Sequence, residues 1–197
     1  MNKKYKVAIV GATGLVGRTI LKVLEEKNFS NVEYTLFASK KSAGKKIEFL
    51  GTNYIICELN ETSFDIGFDY AIFSAGASTS VKYAPIAVSN GCIVIDNSSA
   101  FRMNPKVPLV VPEVNKDKIF ENNGIIANPN CSTIQAMLPL KVLDDKYKVK
   151  RGDSLEAISV KYYGKASPEN TLKLQNANNL TSPHSIYEGQ TLLIPMK

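Results

Sequence analysis

An aliphatic run at residues 5–10 ends in Gly11, and Gly14 and Gly17 follow at three-residue intervals. Apolar residues then recur at helical spacing at Ile20, Leu21 and Leu24. Strand, glycine turn and helix in immediate succession leave few folds open, because a strand that feeds a helix through so tight a turn begins a βαβ unit. Later apolar runs at 32–38, 54–57, 70–74, 92–95 and 124–127 alternate with helical or loop segments. The fold class is therefore α/β, a doubly wound, mostly parallel sheet with helices on both faces. Residues 131–143 read as a further helix, with Ile134, Met137, Leu138 and Leu140 on its apolar side and Pro139 as an irregularity able to kink it.

The glycine turn also carries chemistry. A helix N-terminus presents unpaired N–H groups and partial positive charge, so a tight turn there can cradle a pyrophosphate. The spacing is Gly-x-x-Gly-x-x-Gly and not the commoner Gly-x-Gly-x-x-Gly, but the flanking strand and helix give the context of a Rossmann-like dinucleotide site. The alternative is a tight turn and nothing more. An acidic residue at the end of the second strand would select the 2′-hydroxyl of NAD. The stretch here is ASKKSAGK at 38–45, where hydroxyls and ammonium groups replace the carboxylate, which favours NADP. A solvated lysine-rich loop is the competing reading.

The net charge of +6 is spread evenly. Residues 1–146 hold seventeen basic and fourteen acidic side chains, and residues 147–197 hold seven and four. A nucleic-acid surface needs a larger patch interleaved with aromatics, so none is expected. Cys57, Cys92 and Cys131 are odd in number and lack metal-type pairing, which suits free thiols in a reducing, cytoplasmic setting without a metal. The basic N-terminal stretch precedes an apolar run too short for a signal peptide or a membrane span.

Five segments carry a resemblance: VGATGLVG at 10–17, FSAGASTS at 73–80, IDNSSAFR at 95–102, VVPEVN at 110–115 and NPNCSTIQ at 128–135. In order and spacing they resemble the bacterial aspartate-semialdehyde dehydrogenases through residues 4–146. That family reduces aspartyl phosphate to aspartate semialdehyde with NADPH in amino-acid biosynthesis, on the route to lysine, threonine and methionine. The resemblance implies that Cys131 is the nucleophile, that Asn130 helps position the reacting carbonyl, and that Arg102 binds the substrate phosphate. It places the cofactor against Gly11, Thr13, Gly14, Leu15, Val16 and Gly17. Ser39, Lys41 and Ser42 then meet the 2′-phosphate, and Ser74, Ala75 and Gly76 pass the nicotinamide side. Position supports the cysteine, since backbone N–H groups at a helix start lower thiol pKa values and can stabilise an oxyanion. Cys57 and Cys92, inside apparent strands, are expected to be buried and inert.

After residue 145 the character changes to strand, helix, helix, strand. YKVKRGDSLEAIS at 147–159, YYG at 162–164, LQNANNL at 174–180 and IYEGQTLLIP at 186–195 resemble a LysM domain. That resemblance implies binding of N-acetylglucosamine-containing glycans, peptidoglycan or chitin, in a groove formed by Gly152, Asp153, Ser154 and Leu155 on one side and Asn179, Leu180, Thr181 and Ile186 on the other. Asp153 or Ser154 can equally serve as a helix cap. The expected domains are thus 1–146 and 147–197.

A complete dehydrogenase draws a general-base histidine, a substrate arginine and a glutamine from a second domain, none of which follows Tyr147. The sole histidine, His184, lies in a loop of the other module and reads as a surface residue. Catalysis is therefore expected to be incomplete, and the alternative is a non-enzymatic glycan-binding adaptor. In that family the chain returns at its end to add a helix to the first domain, so here an apolar patch is expected to lie uncovered, or to be covered by the LysM part or by another chain in a homo-oligomer. The segment around Lys146 to Arg151 reads both as the lead into the missing domain and as the first LysM strand, the pattern expected of a chimera.

Overall fold

The computed structural model describes residues 3–144 and 146–195. Its packing divides the chain into two compact units, Met1–Ile134 and Gln135–Lys197.

In the first unit β1 (Tyr5–Val10) leads through the glycine turn into α1 (Leu15–Lys27) and returns as β2 (Val32–Ala38). There follow β3 (Lys46–Phe49), β4 (Thr52–Ile55), β5 (Cys57–Glu58), β6 (Tyr70–Phe73), α2 (Ala77–Ser89) and β7 (Ile93–Asp96). The single turn α3 (Pro112–Asn115), a 3-10 segment at Lys116–Glu121, β8 (Ile125–Ala127) and α4 (Cys131–Asp144) complete the order. The division between the units falls within α4, which runs unbroken across Pro139.

Six strands form one sheet in the order β5-β2-β1-β6-β7-β8, and every pairing in it is parallel. The alternation of β1 shows why the sheet is buried on both sides. Val7 and Ile9 join Leu21 of α1 and Leu36 in one core cluster, whereas Ala8 and Val10 join Phe73 and Ala84 of α2 in another. Strands covered on both faces read as continuous apolar runs, which is what made them visible in the sequence. Fully buried side chains such as Ile9, Leu36 and Phe73 each contribute about 1.5–3 kcal/mol of hydrophobic stabilisation.

The structure corrects the sequence reading at residues 54–57. That run is not one strand of the alternation. Its first part belongs to β4, which pairs antiparallel with β3 in a hairpin outside the main sheet, and Cys57 begins the edge strand β5. Leu50 (φ 52°) and Gly51 (φ 69°) turn the hairpin in left-handed conformations, and Leu50 is not a residue that signals such a turn. Cys57 is also exposed, not buried, because an edge strand of two residues has a neighbour on one side only. Cys92 is buried as expected, and desolvation pushes its thiol up to about 12.

The second unit contains β9 (Lys146–Lys148), α5 (Leu155–Tyr163), α6 (Pro168–Ala177) and β10 (Thr191–Leu193), with β9 and β10 antiparallel. Its own core consists of Tyr147, Val149, Leu155, Ile158, Tyr163, Leu174, Leu192 and Ile194. Ser154 caps α5 by accepting from the Ala157 N–H, and Ser167 caps α6 in the same way from Asn170. No helix among the described residues is long and apolar enough to cross a membrane.

Candidate functional site

The chain reverses direction across the sheet at β1, whose two neighbours are β2 and β6. Ligands of open parallel sheets bind at such a switch point, beyond the carboxyl ends of the strands. A cleft of about 440 Å³ opens there. It is lined by the ends of β1 and the glycine turn (Val10, Gly11, Thr13, Gly14), by Ala38, Ser39 and Lys40 after β2, by Ser74 and Ala75 after β6, and by Leu59, Thr79 and Tyr83.

Each glycine of the turn has a separate reason. Gly11 sits at φ 94°, and a Cβ there would lie 2.5 Å from the Ser74 carbonyl oxygen. Gly17 packs so closely that its Cβ would stand 2.0 Å from the Gly11 carbonyl oxygen. Gly14 is neither crowded nor left-handed. It is the N-cap of α1 at φ −72°, offers no side-chain cap, and heads a first turn without an acidic residue. The N–H groups of Leu15, Val16 and Gly17 therefore face no side-chain acceptor from their own helix, an arrangement suited to an anion.

Of the residues expected to meet the cofactor, Gly11, Thr13, Gly14, Ser39, Ser74 and Ala75 line this cleft. Leu15 and Val16 are exposed beside it, Gly17 is buried against the turn, and Lys41, Ser42 and Gly76 are not among its lining residues. Sequence reasoning missed Val10, Ala38, Lys40, Leu59, Thr79 and Tyr83. For Thr79 and Tyr83 a signal existed, since they are four residues apart on the helix that follows the Ser74–Gly76 loop and so share a face. For Leu59 none did, because its place depends on the amide hydrogen bond to Ala38 O after β5. The lining contains no acidic side chain.

The second set of residues lies at the same edge of the sheet, past the ends of β7 and β8. Cys131 is the first residue of α4 and is exposed. The Asn130 side chain caps that helix, with Oδ1 accepting from the Ser132 N–H at 2.9 Å and standing 3.8 Å from Cys131 Sγ. Arg102 is half-buried and makes no ion pair among the described residues. Its Nε donates to Asn128 O at 2.9 Å and its Nη2 to Asn97 O at 3.1 Å. Cys131 and Arg102 do not line the cleft at the switch point. Cys131 follows β8, two strands beyond β6, and Arg102 lies in the loop that follows β7.

In the second unit, the residues expected to bind glycan are largely occupied internally. Asp153 Oδ2 accepts from Tyr147 Oη at 2.6 Å and from the Lys150 N–H at 2.8 Å, and Leu155 is fully buried. Tyr147's hydroxyl is pushed up to about 12 by its bond to Asp153, whose carboxyl that same bond holds below the usual carboxylate range. Gly152, Asn179 and Thr181 are exposed, while Leu180 and Ile186 pack half-buried against the core. A hollow of about 470 Å³ lies elsewhere, at Ser167, Pro168, Leu172 and Pro183. His184 is exposed in the loop before β10.

A parallel sheet with a glycine turn and an acid-free cleft at its switch point defines a nucleotide-binding α/β protein. More narrowly, the model of the semialdehyde dehydrogenase NAD-binding domain matches residues 6–122, and the chain belongs to that family. The LysM domain model matches residues 147–195. An aspartate-semialdehyde dehydrogenase of Aquifex aeolicus is 56% identical over 149 residues, covering 75% of this chain and 44% of the relative. Among solved structures, aspartate semialdehyde dehydrogenase II of Vibrio cholerae, described as complexed with ASA, matches at a TM-score of 0.67 and 42% identity, over 78% of this chain and 54% of that one. The aspartate semialdehyde dehydrogenase of Candida albicans, described as with NADP, matches at a TM-score of 0.57 and 26% identity, over 71% of this chain and 46% of that one. The chain spans about half the length of the curated relatives it matches.

Proposed function

We propose that residues 1–146 bind NADP(H) and carry the nucleophile half of an aspartate-semialdehyde dehydrogenase site, and that residues 147–197 form a LysM glycan-binding domain. The observation that carries the first part is the acid-free cleft where the uncapped start of α1 meets the ends of β1, β2 and β6. The pyrophosphate lies over Gly11, Thr13 and Gly14, within reach of the Leu15, Val16 and Gly17 amides. Ser39 and Lys40, with Lys41 and Ser42 in the same turn, take the adenosine 2′-phosphate, and Tyr83 and Leu59 give the adenine an apolar wall. Ser74, Ala75 and Gly76 run along the nicotinamide end. When bound, the nicotinamide supplies or accepts the hydride.

Cys131, exposed at the head of α4, attacks the substrate carbonyl in this reading. Asn130, with Oδ1 committed to the helix cap, keeps Nδ2 to orient that carbonyl. Arg102 uses two of its five donors on backbone carbonyls and offers the remainder to the substrate phosphate. The only histidine in the sequence is His184, in the LysM unit, so the 197-residue chain has no histidine in the catalytic unit to accept the thiol proton. Loss of a positioned base lowers turnover by a factor of about 100 to 10,000. The chain by itself is therefore a cofactor binder with negligible turnover.

Fluorescence titration with NADPH and NADH, beside a coupled assay with aspartate semialdehyde, phosphate and NADP, tests this reading. NADPH binding in preference to NADH, with turnover at background, is expected. Absent NADPH binding removes the cofactor reading, and ordinary dehydrogenase rates remove the claim of incompleteness. The LysM match over residues 147–195 favours one further reading, an adaptor that is held on glycan and does no chemistry. Retention on insoluble peptidoglycan without NADPH binding would select it.

A further inference from the structure

The carboxylate of Asp96 is fully buried and has no cationic partner among the described residues. It accepts hydrogen bonds from Ser80 Oγ at 2.7 Å, from the Ser98 N–H at 3.1 Å and from Ser98 Oγ at 2.8 Å. Its own carbonyl accepts from the Asn128 N–H at 2.8 Å. One residue thereby ties α2, the turn after β7 and the exit of β8 together. The next residue extends the tie. Asn97 N–H donates to Phe73 O at 2.9 Å, and Asn97 Oδ1 accepts from Asn128 Nδ2 at 2.7 Å. The carbonyls of these two bridged asparagines are the acceptors that hold Arg102, at 3.1 and 2.9 Å.

We infer that the Asn97–Asn128 side-chain bridge, seated on buried Asp96, positions the Arg102 guanidinium for an anion, which makes Asn97 and Asn128 positioning residues. This rests on the reading of Arg102 as a phosphate-binding residue. The physical case is one of pre-organisation. A free arginine side chain loses rotamer entropy when it grips a ligand, and a guanidinium already fixed at Nε and Nη2 has lost it beforehand. Its remaining donors form one planar edge, the geometry that suits two oxygens of a phosphate or carboxylate. A lysine at this position could not be held at two points while keeping donors in a fixed plane. Without the bridge the two loops keep only the backbone bond from the Asn128 N–H to Asp96 O, which leaves the spacing of the two carbonyls less tightly matched to the fork.

The sequence contains three arginines, so the guanidinium Nε–H region of a nitrogen-15 correlation spectrum of the full chain is simple, and an Arg102→Lys variant assigns the Arg102 signal by its loss. Two readings are taken from NADP-loaded protein: solvent exchange of the Arg102 Nε–H, and its shift on titration with inorganic phosphate. In Asn128→Ala the exchange should accelerate by about tenfold and the apparent phosphate Kd should rise by about tenfold, while the NADPH Kd stays unchanged. Asn97→Ala removes the other end of the same bridge and should give the same pair of changes, which keeps the test alive if one variant does not fold. Exchange and phosphate affinity equal to the parent in a folded variant would overturn the positioning role. If phosphate leaves the parent signal unmoved, the reading of Arg102 as a phosphate residue fails and takes the proposal with it. Faster exchange in the variants would then mark the bridge as structural only.

Discussion

Three glycines that look alike in the sequence do three different jobs, and single substitutions should separate them. Gly17→Ala drives a methyl into the Gly11 carbonyl at 2.0 Å and should cost about 1–3 kcal/mol of the first unit's stability, measured by chemical denaturation. Gly11→Ala adds the strain of φ 94° to a 2.5 Å clash with Ser74 O and should cost at least as much. Gly14→Ala meets nothing closer than 3.4 Å at an ordinary φ, so stability should change little, and any loss of NADPH affinity there reports the approach of the ligand itself. Equal destabilisation by all three would defeat this assignment. The Tyr147–Asp153 bond makes a second residue-scale expectation. A carboxyl held below its ordinary value of 3.8 contributes stability above that pH and loses it as pH falls through the lowered value. A tyrosine raised from 10 to about 12 contributes fully below pH 10 and loses its contribution as pH climbs toward about 12. The melting temperature of the second unit should thus be level between about pH 5 and 9 and fall at both ends. Tyr147→Phe should abolish the alkaline fall and shrink the acidic one, because the Lys150 N–H still supports the Asp153 carboxylate.

The start of α1 sets stability against binding. Leu15 is 86% exposed in a first turn that has neither a cap nor an acid. Leu15→Glu should stabilise the helix through its dipole by about 0.3–1 kcal/mol and, by placing an anion where the pyrophosphate belongs, weaken NADPH binding by roughly fivefold or more. Movement of both quantities in the same direction would show that the amides at this end are not the anion site. The elements themselves were mostly legible, and for a reason: β1 and β2 are buried on both faces, so their apolar runs are continuous and end at glycine or polar turns. The hairpin of β3 and β4 was not legible. Its turn residue Leu50 adopts φ 52°, and its register brings Ile47 opposite Tyr54 through pairing that no local pattern announces. The cleft shows the same limit. Gly11, Ser39 and Ser74 end strands and could be placed from chain order alone, whereas Lys40 in place of Lys41, and Leu59 at all, depend on how the turn after β2 and the edge strand are folded.

At the scale of the whole molecule, each unit carries a complete core of its own. Among the described residues, the clusters around Ile9 and Phe73 contain none beyond 134, and the cluster around Leu155 contains none before 147. Cooperativity comes from shared burial, so a chain built on two separate cores should unfold in two steps. Calorimetry should resolve two transitions. A ligand that binds one folded unit stabilises it by RT ln(1 + [L]/Kd), about 2.7 kcal/mol at a hundredfold excess over Kd, which for a domain the size of the first unit raises its midpoint by roughly 5–10 °C. NADPH should shift one transition by that much and leave the other in place, and a chitin oligosaccharide should do the reverse. The seam between the units is the point at which this is most exposed to failure, because α4 begins with the proposed nucleophile in one unit and ends in the other. If α4 couples them, a single transition will respond to both ligands, and NADPH titrated against glycan-saturated protein will show an altered Kd. Two transitions with independent shifts would instead mean that the head of α4, with Cys131 and its Asn130 cap, melts with the nucleotide-binding unit. Amide exchange at Ser132, whose N–H is held by Asn130, should then slow on adding NADPH and not on adding glycan.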